Sequence, residues 1–597
     1  MYLSNVKLWN FRQFGNDSAP LDLKTPHLNL IFKNGMNVLI GENDSGKTAI
    51  IDAIRIVLKT QDYDWYRITK EDFYNESKRF RIELRFDNLS DDEAKNFVEW
   101  LSFESQGDGT EKRFYLRIIY DVERDDVRVF SSDVCAGSDE TGRPLNAEAR
   151  DLLRVTYLKP LRDAATELTP GRYSRLSSIL FASDLFNKGK NQTELDSHLS
   201  EFNTFIENFF SDDQKQGYKI KDILDKYLKK FISSDSESKF SFASTDLKNT
   251  LSKLELELKE KINPGLGSLN RLYMATELLN LKRGNWNGLK LGLIEELEAH
   301  LHPQAQMKVI EQLCDSCQDE KIQFILTTHS PNLASKLKLK DLILCTQKQC
   351  FPLGEEYTRL NANGYIFLEK FLDVTKANLF FAKGLIFVEG WAEQIFLPAF
   401  VNLLKEKGII TQNLTESGVS IVNVGSVAFL EYSKIFQRKD ESEINIPIAI
   451  ITDSDVAAYK KEKKNDKDEL VKKDVSEISV NLNNAIQNKE SKYNYQNHIK
   501  VFLAKDWTFE YALYKSNVFS HAFIEIVKTI HSRTDFSDFE PSLAEKLLSQ
   551  TLKKTEIAYQ MSNYLNDNAK IASITKSQLE SDDSISYLID AVKFVCK

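Results

Sequence analysis

Two groups of residues in this 597-residue chain have the types and spacing to handle phosphate and divalent metal. The first is Gly41-Glu42-Asn43-Asp44-Ser45-Gly46-Lys47-Thr48, which fits GxxxxGK[ST]. Its glycines let successive backbone N–H groups wrap phosphate oxygens at a helix N-terminus. Lys47 would reach the β- and γ-phosphates of ATP, and the Thr48 hydroxyl would hold Mg²⁺. The second group is acidic: Glu389 and Glu393 in an EGxxE run, then Asp453 and Asp455 in a DxD run. Carboxylates that converge are costly unless divalent cations sit among them, and all-oxygen donors favour Mg²⁺ or Mn²⁺. Pairs of such ions, about 4 Å apart, activate a water and stabilise the leaving oxygen in phosphodiester cleavage.

These side chains act only if strands deliver them to one end of a sheet. NVLI before the glycine loop reads as a buried strand, and AIIDAIRIVLK after it as an amphipathic helix. The strand in LKLGLIEELEAHLHPQAQ ends at Glu295 and Glu296, where a parallel sheet presents its ligands. Glu295 can coordinate Mg²⁺ through its water shell, and Glu296 can polarise the attacking water. A further strand, IQFILTTHS, ends beside His329, a candidate γ-phosphate sensor. The apolar run ending at Val388 delivers Glu389, Gly390 makes the turn, and Glu393 follows one helical turn on. In IPIAIITDSDV the period of two predicts Asp453 and Asp455 on one face.

Composition bounds the rest. A net charge of −9 argues against a protein that coats DNA, while leaving room for a local basic groove. The length predicts two to four domains. Cys135, Cys314, Cys317, Cys345, Cys350 and Cys596 are scattered; Cys314 and Cys317 form a CxxC inside a helical run with no second pair, so reduced thiols are expected rather than zinc. No leader and no spanning apolar run stand out, which predicts a cytoplasmic protein without membrane contact. LSKLELELKEKI, residues 251–262, reads as a packed helix in a mainly helical middle region. Arg162 and Arg172 there are candidate basic contacts, with solvated or paired arginines the more ordinary reading. The lysine-dense residues 456–474 read as a solvated helix or loop, with a DNA-facing flap as the sharper alternative. No base-reading module is visible, so no DNA sequence specificity is expected.

The run IEELEAHLHP…TTHSP resembles the ABC-type ATPases of the structural-maintenance-of-chromosomes and RecF group. That resemblance implies a second subunit completing each ATP site with a Gly-Ser-rich helix start, here Gly267 and Ser268 within Pro264-Gly-Leu-Gly-Ser, and therefore a homodimer or higher oligomer. VKLWNFRQF resembles that group's first strand, which implies Arg12 at the nucleotide. The EGxxE and DxD pair resembles the Toprim domain of topoisomerases, primases and certain nucleases. The combination resembles the OLD (overcoming lysogenisation defect) nucleases over essentially the whole chain, in PLRDA…GRYSRL, FFAKGLIFVEGWAEQIFLPAF and VSIVNVGS. This implies Glu510, in IKVFLAKDWTFEYAL, as a further acidic ligand, and Lys576, in ITKSQLE, as a basic residue that stabilises the scissile phosphate.

The expected fold class is therefore α/β: an ABC-type P-loop ATPase with an inserted helical dimerisation domain, followed by a Toprim α/β domain. The expected boundaries are 1–165 and 263–375 for the ATPase halves, 166–262 for the insert and 376–597 for Toprim. The expected activity is ATP-regulated, metal-dependent cutting of DNA in antiphage defence, with a helicase or other defence protein as a partner in part of the family. The alternative is a RecF-like clamp that binds DNA without cutting. A topoisomerase or primase would need modules that do not stand out.

Overall fold

The computed structural model describes residues 1–16, 21–60, 66–106, 111–130, 132–160, 167–171, 175–181, 194–231, 238–240, 250–259, 265–282, 288–319, 321–346, 348–425, 429–440, 442–464 and 467–596. Arg162, Arg172 and Pro264 lie outside these, as do parts of the PLRDA…GRYSRL and VSIVNVGS runs. The chain forms two compact units: Met1–Leu39 with Gly46–Thr328, and Ile40–Ser45 with His329–Lys597.

In the first unit, β1 (Tyr2–Trp9) opens an antiparallel sheet. β2 (Met36–Ile40) is buried at every position and runs into the glycine loop and α1 (Lys47–Leu58), which turns Ile50, Ile51, Ala53 and Ile54 inward. β3 (Arg79–Asp87) pairs with β1 and with β4 (Glu111–Glu123). β5 (Thr156–Leu158) returns to the sheet of β2. Helices α2 (Glu194–Ser211) and α3 (Tyr218–Phe231) occupy the middle region, and α4 (Leu266–Leu281) leads back. β6 (Leu291–Ile294), α5 (Pro303–Asp319) and β7 (Gln323–Thr327) complete a parallel ladder in the order β5-β6-β7-β2. Its strands are covered on both faces and so read as unbroken apolar runs. Cys314 and Cys317 fall on α5, as expected.

In the second unit, β8 (Leu342–Cys345) and β9 (Cys350–Pro352) make a hairpin. Then come β10 (Gly384–Val388), α6 (Trp391–Glu406), β11 (Val419–Asn423) and β12 (Ile448–Asp453). A two-stranded ribbon follows, β13 (Tyr459–Lys464) with β14 (Lys467–Lys472), then α7 (Val475–Tyr493), β15 (Ile499–Ala504) and α8 (Phe509–Lys515). The C-terminal helices include α9 (Lys554–Leu565), α10 (Lys576–Glu580) and α11 (Ser586–Val595). The parallel sheet has the order β11-β10-β12-β15. The chain leaves β10 for one neighbour and returns on its other side, so a crevice opens beyond the carboxyl ends of β10 and β12. Beneath it Phe396 packs edge-on against Phe509 with ring centroids 5.2 Å apart, locking α6 to α8.

Two local expectations are corrected. The lysine-dense stretch is the β13–β14 ribbon rather than a helix or loop; Tyr459 is buried at its base and Lys472 is fastened to Glu540 at 2.9 Å. Residues 252–259 are not helical, although Leu251, Leu254 and Leu258 fall at helical spacing. Among the described residues, no helix is long and apolar enough to cross a membrane.

Candidate nucleotide and metal centres

The glycine loop needs backbone conformations that ordinary side chains avoid: φ is +137° at Gly41, +60° at Asp44 and +92° at Gly46. A Cβ on Gly46 would strike Gln13 and Phe14. Glu42 and Asn43 complete its outer turn, Ser45 is buried, and Lys47 is buried at the start of α1. Thr48 hydrogen-bonds the carboxyl of Glu295, and the Tyr157 hydroxyl donates to Glu295 Oε2 at 2.8 Å. Burial pushes the Glu295 carboxyl up, a shift that a Mg²⁺ ion beside it would oppose. Thr48 and Glu295, each expected at Mg²⁺, thus lie within hydrogen-bond reach of one another. Glu296 sits at φ +43°, its N–H donating to Thr327 Oγ1 at 3.0 Å, which turns its side chain out of line with the strand. His329 directly follows Thr328 beyond the end of β7.

Gly267 and Ser268 lie in the first turn of α4, where Arg271 donates to the Gly267 carbonyl at 3.2 Å and to Ser268 Oγ at 3.3 Å. A Cβ on Gly267 would crowd the His300 carbonyl, so the glycine allows close approach of backbone. Arg12 is engaged by protein: its guanidinium meets Asp52 at 2.8 Å, Asp72 at 3.1 Å and the Tyr66 hydroxyl at 2.6 Å. A nucleotide contact would compete with two carboxylates for the same group.

The acidic centre is built at the crevice of the second unit. Glu389 leaves the end of β10, and its Oε2 accepts from Thr452 Oγ1 at 3.2 Å. Gly390 caps α6 and brings Glu393 into the first turn, buried. Burial, then Glu510 and Glu389, push the Glu393 carboxyl up to about 7 against the pull of Lys554. Asp453 closes β12 and accepts from the Phe509 N–H at 2.8 Å. Its carboxyl is also pushed well up, by burial and then by Glu510, Glu393 and Glu389. Glu510 is 1% exposed in the first turn of α8 and pairs with Lys554 at 2.9 Å. Burial pulls the Lys554 ammonium down, but Glu510, Asp453 and Glu393 outweigh it and hold it protonated. Three carboxylates therefore act on one ammonium, and Glu389 lies beside two of them, Glu393 and Asp453. Among the described residues no three His, Cys, Asp or Glu side chains close into a ready-made ion cage, and Lys554 supplies the positive charge here.

Two expected members stand apart. The regular strand ends at Asp453, so its period of two does not carry to Asp455. Asp455 has φ +60°, its side chain is 65% exposed, and it pairs with Lys489 at 2.9 Å. Lys576, at the start of the short α10, donates to the Gly408 carbonyl at 2.9 Å rather than facing the carboxylates. Lys554, rather than Lys576, is the lysine that meets the carboxylates. Its signal was legible in retrospect: a lysine at a helix N-terminus opposes the helix dipole unless carboxylates face it. Tyr587 had no signal in the sequence. Its hydroxyl is buried with no hydrogen-bond partner, in the field of Asp453, Glu393 and Glu510.

Residues 36–335 match the family described as "AAA domain, putative AbiEii toxin, Type IV TA system". Residues 380–455 match "Overcoming lysogenization defect protein-like, TOPRIM domain". Among curated relatives, "Endonuclease GajA" of Bacillus cereus (strain HuB5-5) is 21% identical over 559 residues, covering 78% of this chain and 78% of its own. "OLD nuclease" of Thermus scotoductus is 23% identical over 479 residues, covering 76% of this chain and 82% of its own. Both domains are of kinds that use nucleotide and divalent metal. With that AAA-type ATPase over half its length and an OLD-like Toprim domain behind it, the chain belongs to the OLD family of ATPase–Toprim proteins.

Proposed function

We propose that this protein is an ATP-dependent, divalent-metal-dependent DNA endonuclease that serves in defence. The observation that carries this reading is the cluster of Glu389, Glu393, Asp453 and Glu510 beyond the ends of β10 and β12, with Lys554 against Glu510. The printed names of the relatives, endonuclease and OLD nuclease, agree with it.

The residues suit Mg²⁺ or Mn²⁺. The donors are hard oxygens. Glu393 and Asp453 resist ionisation until positive charge arrives. The unpartnered Tyr587 hydroxyl offers a donor to whatever the carboxylates enclose. Bound ions would supply an activated water and stabilise the leaving oxygen of a phosphodiester. Glu389, Glu393, Asp453 and Glu510 would hold those ions, with Thr452 orienting Glu389 and the Phe509 N–H orienting Asp453. Lys554 would neutralise charge on the scissile phosphate, the role expected of Lys576. Asp455 would join by leaving Lys489.

On the ATPase side, residues 41–48 would cradle ATP, Thr48 and Glu295 would hold its Mg²⁺, Glu296 would orient water, and His329 would sense the γ-phosphate. The region 166–262 is our candidate dimerisation insert. Ile220, Ile223, Leu224 and Tyr227, between 43% and 60% exposed, form one apolar stripe along α3 that a second copy would cover. That copy would present Gly267 and Ser268 to the nucleotide. A RecF-like clamp is less supported, because carboxylates repel phosphate unless metal intervenes.

The test is supercoiled plasmid with Mg²⁺ or Mn²⁺, with and without ATP. Nicked or linear product that disappears in Glu389→Ala and Glu510→Gln is expected. Equal cutting by those variants would refute the site, and no cutting under any condition would favour the clamp.

A further inference from the structure

The β8–β9 hairpin carries a pair of thiols that the proposed reaction does not use. Cys345 ends β8, Cys350 opens β9, and the two are direct cross-strand partners. Leu353 N–H donates to the Leu342 carbonyl at 2.9 Å, and Thr346 N–H donates to the Gln349 carbonyl at 2.8 Å. Antiparallel ladders alternate bonded and non-bonded pairs, so Cys345 and Cys350 form a non-hydrogen-bonded pair. In such pairs the Cα atoms lie about 4.5 Å apart and the side chains are closest. That separation falls within the roughly 4.4–6.8 Å spanned by disulfides. The two sulfurs are already 3.3 Å apart. Closing to a bond of about 2.05 Å requires little more than a small side-chain rotation.

The hairpin also touches the phosphate-binding loop. A Cβ on Gly41 would collide with the Cys345 carbonyl oxygen, so that carbonyl lies directly against the first glycine of the loop. Gly41 itself holds φ +137°, a conformation that tolerates no side chain. A shift of the Cys345 backbone toward the loop meets this contact, and a shift away removes its support. The loop's N–H groups are aimed for phosphate in one arrangement, so either shift weakens binding.

We infer that Cys345 and Cys350 form an oxidation site for hydroperoxides, and that closing it lowers the protein's affinity for nucleotide. Cys350, partly exposed, is attacked first, while Cys345 is buried. The Cys350 sulfur attacks the terminal peroxide oxygen, the O–O bond breaks, and the alkoxide leaves with a proton as alcohol, or as water from hydrogen peroxide. The resulting sulfenic acid is attacked by the Cys345 sulfur; the S–S bond forms, the S–O bond breaks, and water leaves carrying the Cys345 proton. Two thiols lose two electrons and two protons, and the peroxide takes them up.

The coupling to nucleotide rests on the ATP-binding reading, whereas the disulfide does not. The full-length protein is treated with hydrogen peroxide, alkylated and mapped by peptide mass spectrometry. Affinity for a fluorescent ATP analogue is measured before oxidation, after it, and after dithiothreitol. The expected result is a 345–350 disulfide, at least a threefold weaker affinity, recovery on reduction, and no response in Cys350→Ser. Retention of both thiols under peroxide, or pairing with another cysteine, overturns the site. A mapped disulfide with unchanged affinity overturns the coupling. Failure of the reduced protein to bind the analogue defeats the ATP reading and the coupling with it, while the peptide map still decides the disulfide.

Discussion

Replacing Glu393 by Gln should stabilise the metal-free protein above neutral pH while destroying its affinity for metal. Burial and neighbouring carboxylates raise the Glu393 carboxyl from an ordinary 4.5 to about 7. A folded-state value above the unfolded one means the folded protein holds its proton longer, so stability is lost as pH rises from about 4.5 through about 7. At about 1.4 kcal/mol per unit, the ionised Glu393 costs on the order of 3 kcal/mol at pH 8, an upper bound because the neighbouring Asp453 carboxyl is coupled to its surroundings too. Gln keeps the shape and removes the charge. At roughly 2–4 °C per kcal/mol for a unit of this size, Glu393→Gln should melt about 5–10 °C above the parent in EDTA at pH 8. At pH 4 the difference should shrink to near zero. Mn²⁺ should raise the melting temperature of the parent and leave the variant unmoved. The assay is differential scanning calorimetry at both pH values, with EDTA or Mn²⁺. A variant that melts at or below the parent at pH 8 in EDTA, or a gap that persists at pH 4, would refute the electrostatic reasoning.

Other outcomes follow from the same geometry. Lys554→Met should reduce plasmid cutting by about 10²–10³-fold, with Mn²⁺ binding by calorimetry retained; Lys576→Met should change cutting little. Asp453→Asn should abolish cutting, whereas Asp455→Asn, altering an exposed ion pair, should lower it far less, as a time course of nicking would reveal. Ile223→Glu with Leu224→Glu should convert an oligomer to monomer in light scattering while circular dichroism remains that of a folded chain, since both side chains are exposed in the single chain. Gly41→Ala should lose nucleotide binding in an equilibrium assay, because a side chain there meets both a forbidden φ and the Cys345 carbonyl.

Much of this was legible because parallel sheets advertise themselves. Val38 to Ile40 and Leu385 to Val388 are unbroken apolar runs, each followed at once by a chemically active residue, and both became strands with those residues at their carboxyl ends. Glu510 could be named from family resemblance, but its burial against Lys554 needed α8 and α9 to be packed in place. Tyr587 was hidden because it comes from a helix far along the chain, and the one signal at Lys554, a cation at a helix N-terminus, does not point to its carboxylate partners. Asp455 departs from the strand's face for a definite reason: alternation holds only while the strand lasts, and the chain turns at that residue. The leucines of 252–259 show the same weakness, since a short run of alternating Leu and Glu satisfies several periods at once.

The central claim is that Glu389, Glu393, Asp453 and Glu510 enclose divalent ions. Anomalous diffraction at the manganese edge, from crystals grown with Mn²⁺, addresses it directly. The account requires manganese peaks within about 2.2 Å of those carboxylate oxygens, drawn inward around the ions. Manganese absent from this crevice, with Lys554 still seated on Glu510 and the ions bound elsewhere, would contradict it.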